Sequence, residues 1–268
     1  MPSLLANHLP QFLVFLLVLT RVGALVATLP VLSSAGIPIQ VRALLAVAMA
    51  ALIAPLHWGA SLAAPLNVVE LAVLLGREAL LGLALGAAIT ILLSGMQLAG
   101  QIISQMSGQS LADVFSPTTE TQTPIFSHLL ELLALAIFFS LGGHRHVMDA
   151  LLGSFAWMPP GSGRLPDQLP EVLAAVAGHS FETGIRASAP VVVALLLAVL
   201  IVALIGRTLP QLHAIAIGLN FNALVALAVL ACCLSSAALV FQDEAARAVE
   251  LVREAFGESA NQPPLAGG

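Results

Sequence analysis

The chain has 268 residues, of which 59% are hydrophobic and only 9% are charged, and its mean hydropathy is +1.01. This composition excludes an ordinary soluble protein and indicates a membrane protein. The formal net charge is −5 and the arginines are scattered along the chain without any lysine, so no basic patch for nucleic acid is expected.

Six apolar segments approach the roughly 20 residues that a helix needs to cross a bilayer. They are residues 9–29, 39–56, 68–95, 126–141, 190–205 and 214–240. The first lacks a basic start and a cleavage site and runs on too far for a signal core, which predicts a retained helix. Short connections rich in Gly, Pro and Ser at 31–40 and 57–65 predict helical hairpins. The predicted fold is an all-α, multi-helix membrane protein built of such hairpins.

The third segment combines small residues with charges. Gly82 and Gly86 are four residues apart, a spacing that permits close packing between membrane helices. Glu70, Arg77 and Glu78 are costly at membrane depth and normally face protein, water or one another. They fit either a charge cluster at the membrane interface or, for Arg77, a partner on another helix.

A neutral polar stripe follows the third segment. Ser94, Gln97, Gln101, Gln105 and Gln109 recur at steps of three or four residues, which places them along one face of a helix. The stripe predicts a helix that presents uncharged polar groups.

The helical pattern is then lost, and residues 105–124 predict a plug-like loop. Lipid offers no hydrogen-bond partners, so a loop at membrane depth must be buried in protein or line a water-filled cavity. The loop therefore either lines a lumen or is an ordinary connection outside the membrane. In a lumen, Met106 and Phe115 would act as soft apolar stoppers.

Two polar pairs lie in the apolar segments that follow. His128 and Glu131 are one turn apart, which fits either a proton relay or a polar packing contact. Glu182 and Arg186 are four residues apart on one helical face and are predicted to pair.

The histidine and cysteine residues are too few and too poorly spaced to form a metal site or a disulfide. His144 and His146 have only Asp149 within a turn, and Cys232 and Cys233 are adjacent and point to different helix faces. We expect no metal site, no cofactor and no catalytic residues.

The C-terminal region changes character after the last apolar segment. Residues 243–257 have apolar side chains on one face and charges elsewhere, which predicts an amphipathic helix. Residues 258–268 predict a flexible tail. The chain is expected to form a single domain, residues 1–268.

Three stretches together resemble the FliR family of flagellar export-gate proteins and its injectisome SctT relatives. They are GQIISQMSGQSLADVFSP, LLALAIFFSLGGHRHVMDALLGSFAWMPPG and FETGIRASAPVVVALLLAVLIVALIGRTLPQL, and the resemblance extends from the first helix to Val252. The residues that carry it are Gly108, Ala112, Pro117, Gly143, His144, Ser154, Phe155, Pro159, Ala189, Pro190, Arg207, Pro210 and Gln211. Gly218-Leu219-Asn220 departs from the Gly-Phe-Pro usual in the family, which questions the local bend there.

The resemblance implies a non-enzymatic subunit of a closed helical export gate in the bacterial inner membrane, at the flagellar basal body. Its implied partners are FliP and FliQ in the gate, FlhA and FlhB nearby, and unfolded substrates in transit. The matching loop plugs the channel in the family, which implies plug residues Met106, Gly108, Leu111, Val114, Phe115 and Pro117. The stripe Gln97, Gln101, Gln105 and Gln109 would then line the pore.

Three alternatives stay open at this point. The first is the equivalent injectisome subunit. The second is a secondary transporter whose helices are broken around Pro124 and Pro190 to build a midplane site. The third is a membrane hydrolase, but Ser110, Asp113 and His128 lack the context of a nucleophile elbow.

Overall fold

The computed structural model describes residues 2–33, 37–59, 67–108, 124–162, 168–208 and 214–261, and over these ranges the regular elements are helices. They are α1 (Pro2–Thr28), α2 (Pro30–Ser33), α3 (Ile39–Ile53) with a 3₁₀ turn (Ala54–His57), α4 (Val68–Met106), α5 (Ile125–Ser140), α6 (Gly143–Trp157), α7 (Leu169–Thr208) and α8 (Ala214–Asn261). The predicted all-α fold is confirmed.

Five of the described helices are long and apolar enough to cross a membrane. They are α1, α3 with its 3₁₀ turn, α4, α7 and α8, while α5 and α6 pass the same test only when taken together. Because such helices satisfy their own backbone hydrogen bonds, they are suited to lipid or to packing against other apolar helices. The chain is an integral membrane protein.

Helix α4 continues past the apolar segment to Met106, as the glutamine stripe predicted up to Gln105, because glutamine is a good helix former and no proline interrupts residues 96–106. Helices α7 and α8 are longer than the sequence predicted. Helix α7 joins the apolar segment 190–205 to the polar residues before it, and Pro190 lies inside this helix. A proline removes one backbone hydrogen bond without always ending a helix.

In helix α8, residues 243–257 are helical, as predicted, and they continue the helix that begins at Ala214 and ends at Asn261. The reason is that residues 240–257 contain no glycine or proline before Gly257, so nothing stops the helix where the composition changes. Helix α8 also includes residues 258–261, which were predicted as tail, and residues 262–268 lie outside the described part.

The chain packs as two compact units. The first unit contains Met1–Thr90, Gly143–Val176 and Ala248–Gly268, and the second contains Ile91–Gly142 and Ala177–Arg247. Helices α4, α7 and α8 each contribute residues to both units. The single functional domain expected for residues 1–268 stays a prediction.

In the first unit, α1 and α4 run parallel and very close together. A side chain at Gly82 would collide with the carbonyl of Arg21, and one at Gly86 would collide with the side chain of Thr28. One turn further along, the Thr90 hydroxyl donates a hydrogen bond of 2.9 Å to the carbonyl of Thr28. Residue numbers therefore rise together along both helices, and the glycines permit the close approach.

The core of the first unit is apolar and built on this α1–α4 pair. Helix α3 packs against α1 through small residues, of which Ala46 and Ala50 are buried. The cluster also contains Val14, Val18, Val22 and Leu25 of α1, Leu81 and Leu85 of α4, and Leu151 and Phe155 of α6.

The second unit repeats close packing at small residues. A side chain at Gly95 of α4 would collide with the carbonyl of Ser180 on α7, and one at Gly184 would meet the carbonyl of Gly95. The Ser180 hydroxyl donates to the carbonyl of Ile91. Where α4 crosses α5, a side chain at Gly100 would overlap the backbone of Ser127.

Candidate functional site

Two charged side chains lie together in the apolar core of the first unit. Arg21 of α1 is 0% exposed and Glu78 of α4 is 3% exposed. The Nε atom of Arg21 donates to Oε2 of Glu78 over 2.6 Å. Removing two charges from water is costly, and their mutual attraction offsets this cost only when the remaining polar atoms also find partners.

The guanidinium group of Arg21 has further partners on α6 and just beyond it. Its Nη1 atom donates to Oγ of Ser154 and its Nη2 atom donates to the carbonyl of Met158, both over 3.1 Å. Ser154 Oγ in turn donates to the carbonyl of Leu151 over 2.6 Å, so its lone pair remains for Arg21. The Phe155 ring stacks below the guanidinium carbon at 4.2 Å, a cation–π distance.

The second carboxylate oxygen of Glu78 binds the turn that follows α6. Gly161 donates its backbone N–H to Oε1 of Glu78 over 3.1 Å. Gly161 has φ of 83°, a left-handed conformation that glycine adopts without strain. Ser162 donates its N–H to the carbonyl of Pro159 over 3.0 Å, which closes the turn. We call residues 158–162 the 158–162 turn.

The sequence alone did not predict this buried cluster. Arg21 was not singled out within its apolar segment, and Glu78 was grouped with Arg77 near the start of α4. The sequence feature that could have revealed the cluster is that an ionisable residue in a membrane segment, such as Arg21, needs a partner. Ser154, Phe155 and Pro159 carry the family resemblance, and the structure brings Ser154 and Phe155 against Arg21.

The polar atoms of Arg21 and Glu78 all have hydrogen-bond partners within the cluster, which fits a structural role and not a catalytic one. Both oxygens of Glu78 accept hydrogen bonds, and all three nitrogens of Arg21 donate them. A nucleophile or general base needs an atom that can reach a substrate. The buried pair instead joins three helices and the 158–162 turn.

The second unit carries a neutral polar face at the end of α4. Gln101 and Gln105 are exposed and Gln97 is half-buried, whereas Met96 and Ile103 on the same stretch are fully buried. The glutamines thus occupy the side of α4 that its own unit leaves uncovered. Gln109 lies outside the described residues.

Helix α5 adds polar groups to the same unit. The Ser127 hydroxyl donates to the carbonyl of Gln97 over 3.0 Å at the α4–α5 crossing. His128 Nδ1 lies 3.7 Å from Oε2 of Glu131, and the His128 side chain is 62% exposed. On α7, the predicted pair between Glu182 and Arg186 is confirmed.

The structure describes only the beginning of the predicted plug. Met106 ends α4 and is half-buried, and Gly108 follows with φ of 82°. Gly108 donates its N–H to the carbonyl of Gln105, so it acts as the left-handed residue that often closes a helix. The other predicted plug residues lie outside the described part of the chain: Leu111, Val114, Phe115 and Pro117.

The other residues that carry the family resemblance do not come together at one site in the part of the chain that the structure describes. Gly143 and His144 begin α6, Pro190 lies within α7, and Arg207 is exposed near the end of α7. Pro210 lies outside the described residues. In the ranges that the structure describes, no three His, Cys, Asp or Glu side chains come together as metal ligands would.

Comparison with known proteins gives matches over most of the chain. Residues 12–248 match the family model described as bacterial export proteins, family 1. The chain is 29% identical over 248 residues to the flagellar biosynthetic protein FliR of Bacillus subtilis (strain 168), covering 90% of this chain and 94% of that protein.

Two other relatives are a second flagellar protein and a protein of a secretion system. The chain is 28% identical over 233 residues to the flagellar biosynthetic protein FliR of Caulobacter vibrioides, covering 87% of this chain and 93% of that protein. It is 26% identical over 137 residues to the secretion system apparatus protein SsaT of Salmonella typhimurium, covering 51% of this chain and 53% of that protein.

Proposed function

Because the chain belongs to family 1 of the bacterial export proteins, we propose that it is a non-enzymatic membrane subunit of the flagellar type III protein export gate. The resemblance to the FliR family that the motifs indicated is confirmed. The observation that carries the proposal is the family match over residues 12–248, which spans both units and the described helices from α1 to α8.

We propose further that the chain forms the gate channel together with FliP and FliQ, in the inner membrane at the flagellar basal body, with FlhA and FlhB nearby. The neutral polar face of Gln97, Gln101 and Gln105 supports this proposal. A channel for unfolded chains needs a wall that water can wet and whose groups do not bind the charged side chains of the substrate tightly. A lipid-facing helix would not gain from exposed amides, since the hydrocarbon offers them no partners.

The loop after α4 is proposed to plug the closed channel. Its support is its position, since it begins at Met106 and Gly108, directly after the exposed glutamines. Methionine and phenylalanine side chains are apolar enough to exclude water from a narrow passage.

The injectisome alternative is kept because SsaT is among the relatives. In either system the chain would be a subunit of a protein-conducting complex. The secondary-transporter alternative has less support, since α7 continues through Pro190 without a break.

Affinity purification of the full chain in mild detergent, with identification of the copurifying membrane proteins, tests the proposal. We expect FliP and FliQ of the flagellar system in stoichiometric bands. Recovery of injectisome subunits alone would favour the alternative. A monodisperse chain without partners that transports a small solute in vesicles would overturn the gate function.

A further inference from the structure

We propose that the Arg21–Glu78 ion pair is a latch that holds the 158–162 turn in place, and that this positioning, rather than cohesion of the helices, is its role. The inference concerns the first unit alone and does not depend on the proposed export function. Its starting observation is that one buried pair fixes two backbone groups of the same turn.

The first step is that the α1–α4 pair has its own means of alignment. Gly82 and Gly86 of α4 lie directly on the backbone of α1, and Thr90 hydrogen-bonds to the carbonyl of Thr28. Apolar neighbours such as Leu25 and Leu85 pack in the same core. Contacts of this kind set the register of two helices without any charge.

The second step concerns the backbone groups that the pair satisfies. Met158 follows the last residue of α6, where carbonyl groups lack partners within the helix. Pro159 and Pro160 have no N–H, so Gly161 carries the first free amide of the turn. Arg21 binds the carbonyl and Glu78 binds the amide, through hydrogen bonds strengthened by charge.

The third step is energetic. A buried ion pair is often replaceable by apolar side chains of similar volume without loss of stability, whereas backbone groups left without partners must seek water. If the pair is replaced, the core can therefore close around apolar side chains, but the carbonyl of Met158 and the amide of Gly161 lose their partners. The expected result is release of the turn alone.

The consequence is a fixed route into α7. The 158–162 turn is followed by residues 163–167, and α7 begins at Leu169. With so few residues in between, the position of the turn limits where α7 can start, since an extended chain spans at most about 3.3–3.6 Å per residue. Arg21 and Glu78 are thus positioning residues for this connection.

Cysteine labelling of the full-length chain in mild detergent tests the latch. The background replaces the native cysteines (Cys232→Ala and Cys233→Ala). Met158→Cys reports on the turn, because Met158 is buried beside Arg21, and Ala50→Cys on α3 is the matched buried control. Maleimide labelling rates at each reporter are compared between the native pair and the Arg21→Met/Glu78→Met double variant.

We expect labelling at residue 158 to be at least ten-fold faster in the double variant while labelling at residue 50 is unchanged. Unchanged labelling at both reporters would overturn the latch. Equal acceleration at both, or loss of the folded state, would show that the pair holds the whole unit, which also contradicts the proposal.

Discussion

At the scale of single residues, glycine and arginine shape the first unit for opposite reasons. Gly82 and Gly86 let α1 and α4 approach because they have no side chain, whereas Arg21 fills the interior with a charge that requires Glu78. In a membrane protein helices gain little from hydrophobicity against each other, so close packing and satisfied polar groups carry the association. Single substitutions at these positions should therefore have large and distinct effects.

Substitution of the packed glycines should destabilise the folded chain. In Gly82→Leu or Gly86→Leu the new side chain must displace α1, and overpacking of this kind costs about 1–3 kcal/mol or more. Gly76→Leu is the matched control on the same helix, because no atom lies within 4 Å of the place its Cβ would occupy. Thermal unfolding in detergent measures the difference. Equal melting temperatures for Gly76→Leu and Gly82→Leu would contradict the close packing.

Removal of one member of the buried pair should cost more than removal of both. Arg21→Met leaves Glu78 as an unpaired buried charge, which costs about 3–5 kcal/mol, whereas the double variant with Glu78→Met leaves none. The exposed pair of Glu182 and Arg186 is the control, since an exposed pair of this spacing contributes only about 0.3–0.5 kcal/mol. A double-mutant cycle from unfolding in detergent measures both couplings. Additive losses at Arg21 and Glu78 would show that the pair is not coupled.

At the scale of elements, α4 connects two different environments. Its first part carries the packed glycines and Glu78 in the first unit, and its last part carries exposed glutamines in the second. Both belong to one uninterrupted helix of 39 residues. The proposed plug begins where this helix ends, at Met106, so a stiff helix would hold the base of the loop in a defined place.

Deletion of residues 107–116 tests the proposed plug. We expect an assembled gate that leaks small ions, because the loop that would block the lumen is shortened while the helices remain. The measurement is ion flux across cells or vesicles that contain the complex. Deletion of residues 262–268 is the control and should leave the membrane tight. An assembled complex that lacks residues 107–116 and shows no leak would contradict the plug.

At the scale of the whole molecule, much apolar surface remains uncovered in the described residues. Helix α7 exposes Leu196, Leu197, Leu200 and Leu204, and helix α3 exposes Leu44, Leu52 and Leu56. Burial of apolar area contributes about 25 cal/mol per Å², so these faces gain from lipid or from other apolar helices. A subunit that assembles within a larger membrane complex fits this distribution, in agreement with the proposed gate function.

The sequence by itself determined the membrane class, the helices and the family. Long apolar segments and their Gly and Pro boundaries predict helices because the backbone must satisfy its own hydrogen bonds in lipid. Motifs such as SFAWMPPG carry the family resemblance through residue types and spacing alone. The helix ends at Asn261 and Leu169 were predicted poorly, because a change in composition does not end a helix in the absence of a breaker.

Only the tertiary structure decided which polar residues of distant segments are paired. Arg21 and Glu78 are 57 positions apart, and Ser154 is 133 positions from Arg21, so no helical period links them. Their meeting depends on the parallel packing of α1 on α4 and on where α6 ends. The physical reason is that periodicity specifies which side of a helix is polar, whereas the choice of partner is made by the three-dimensional packing of distant segments.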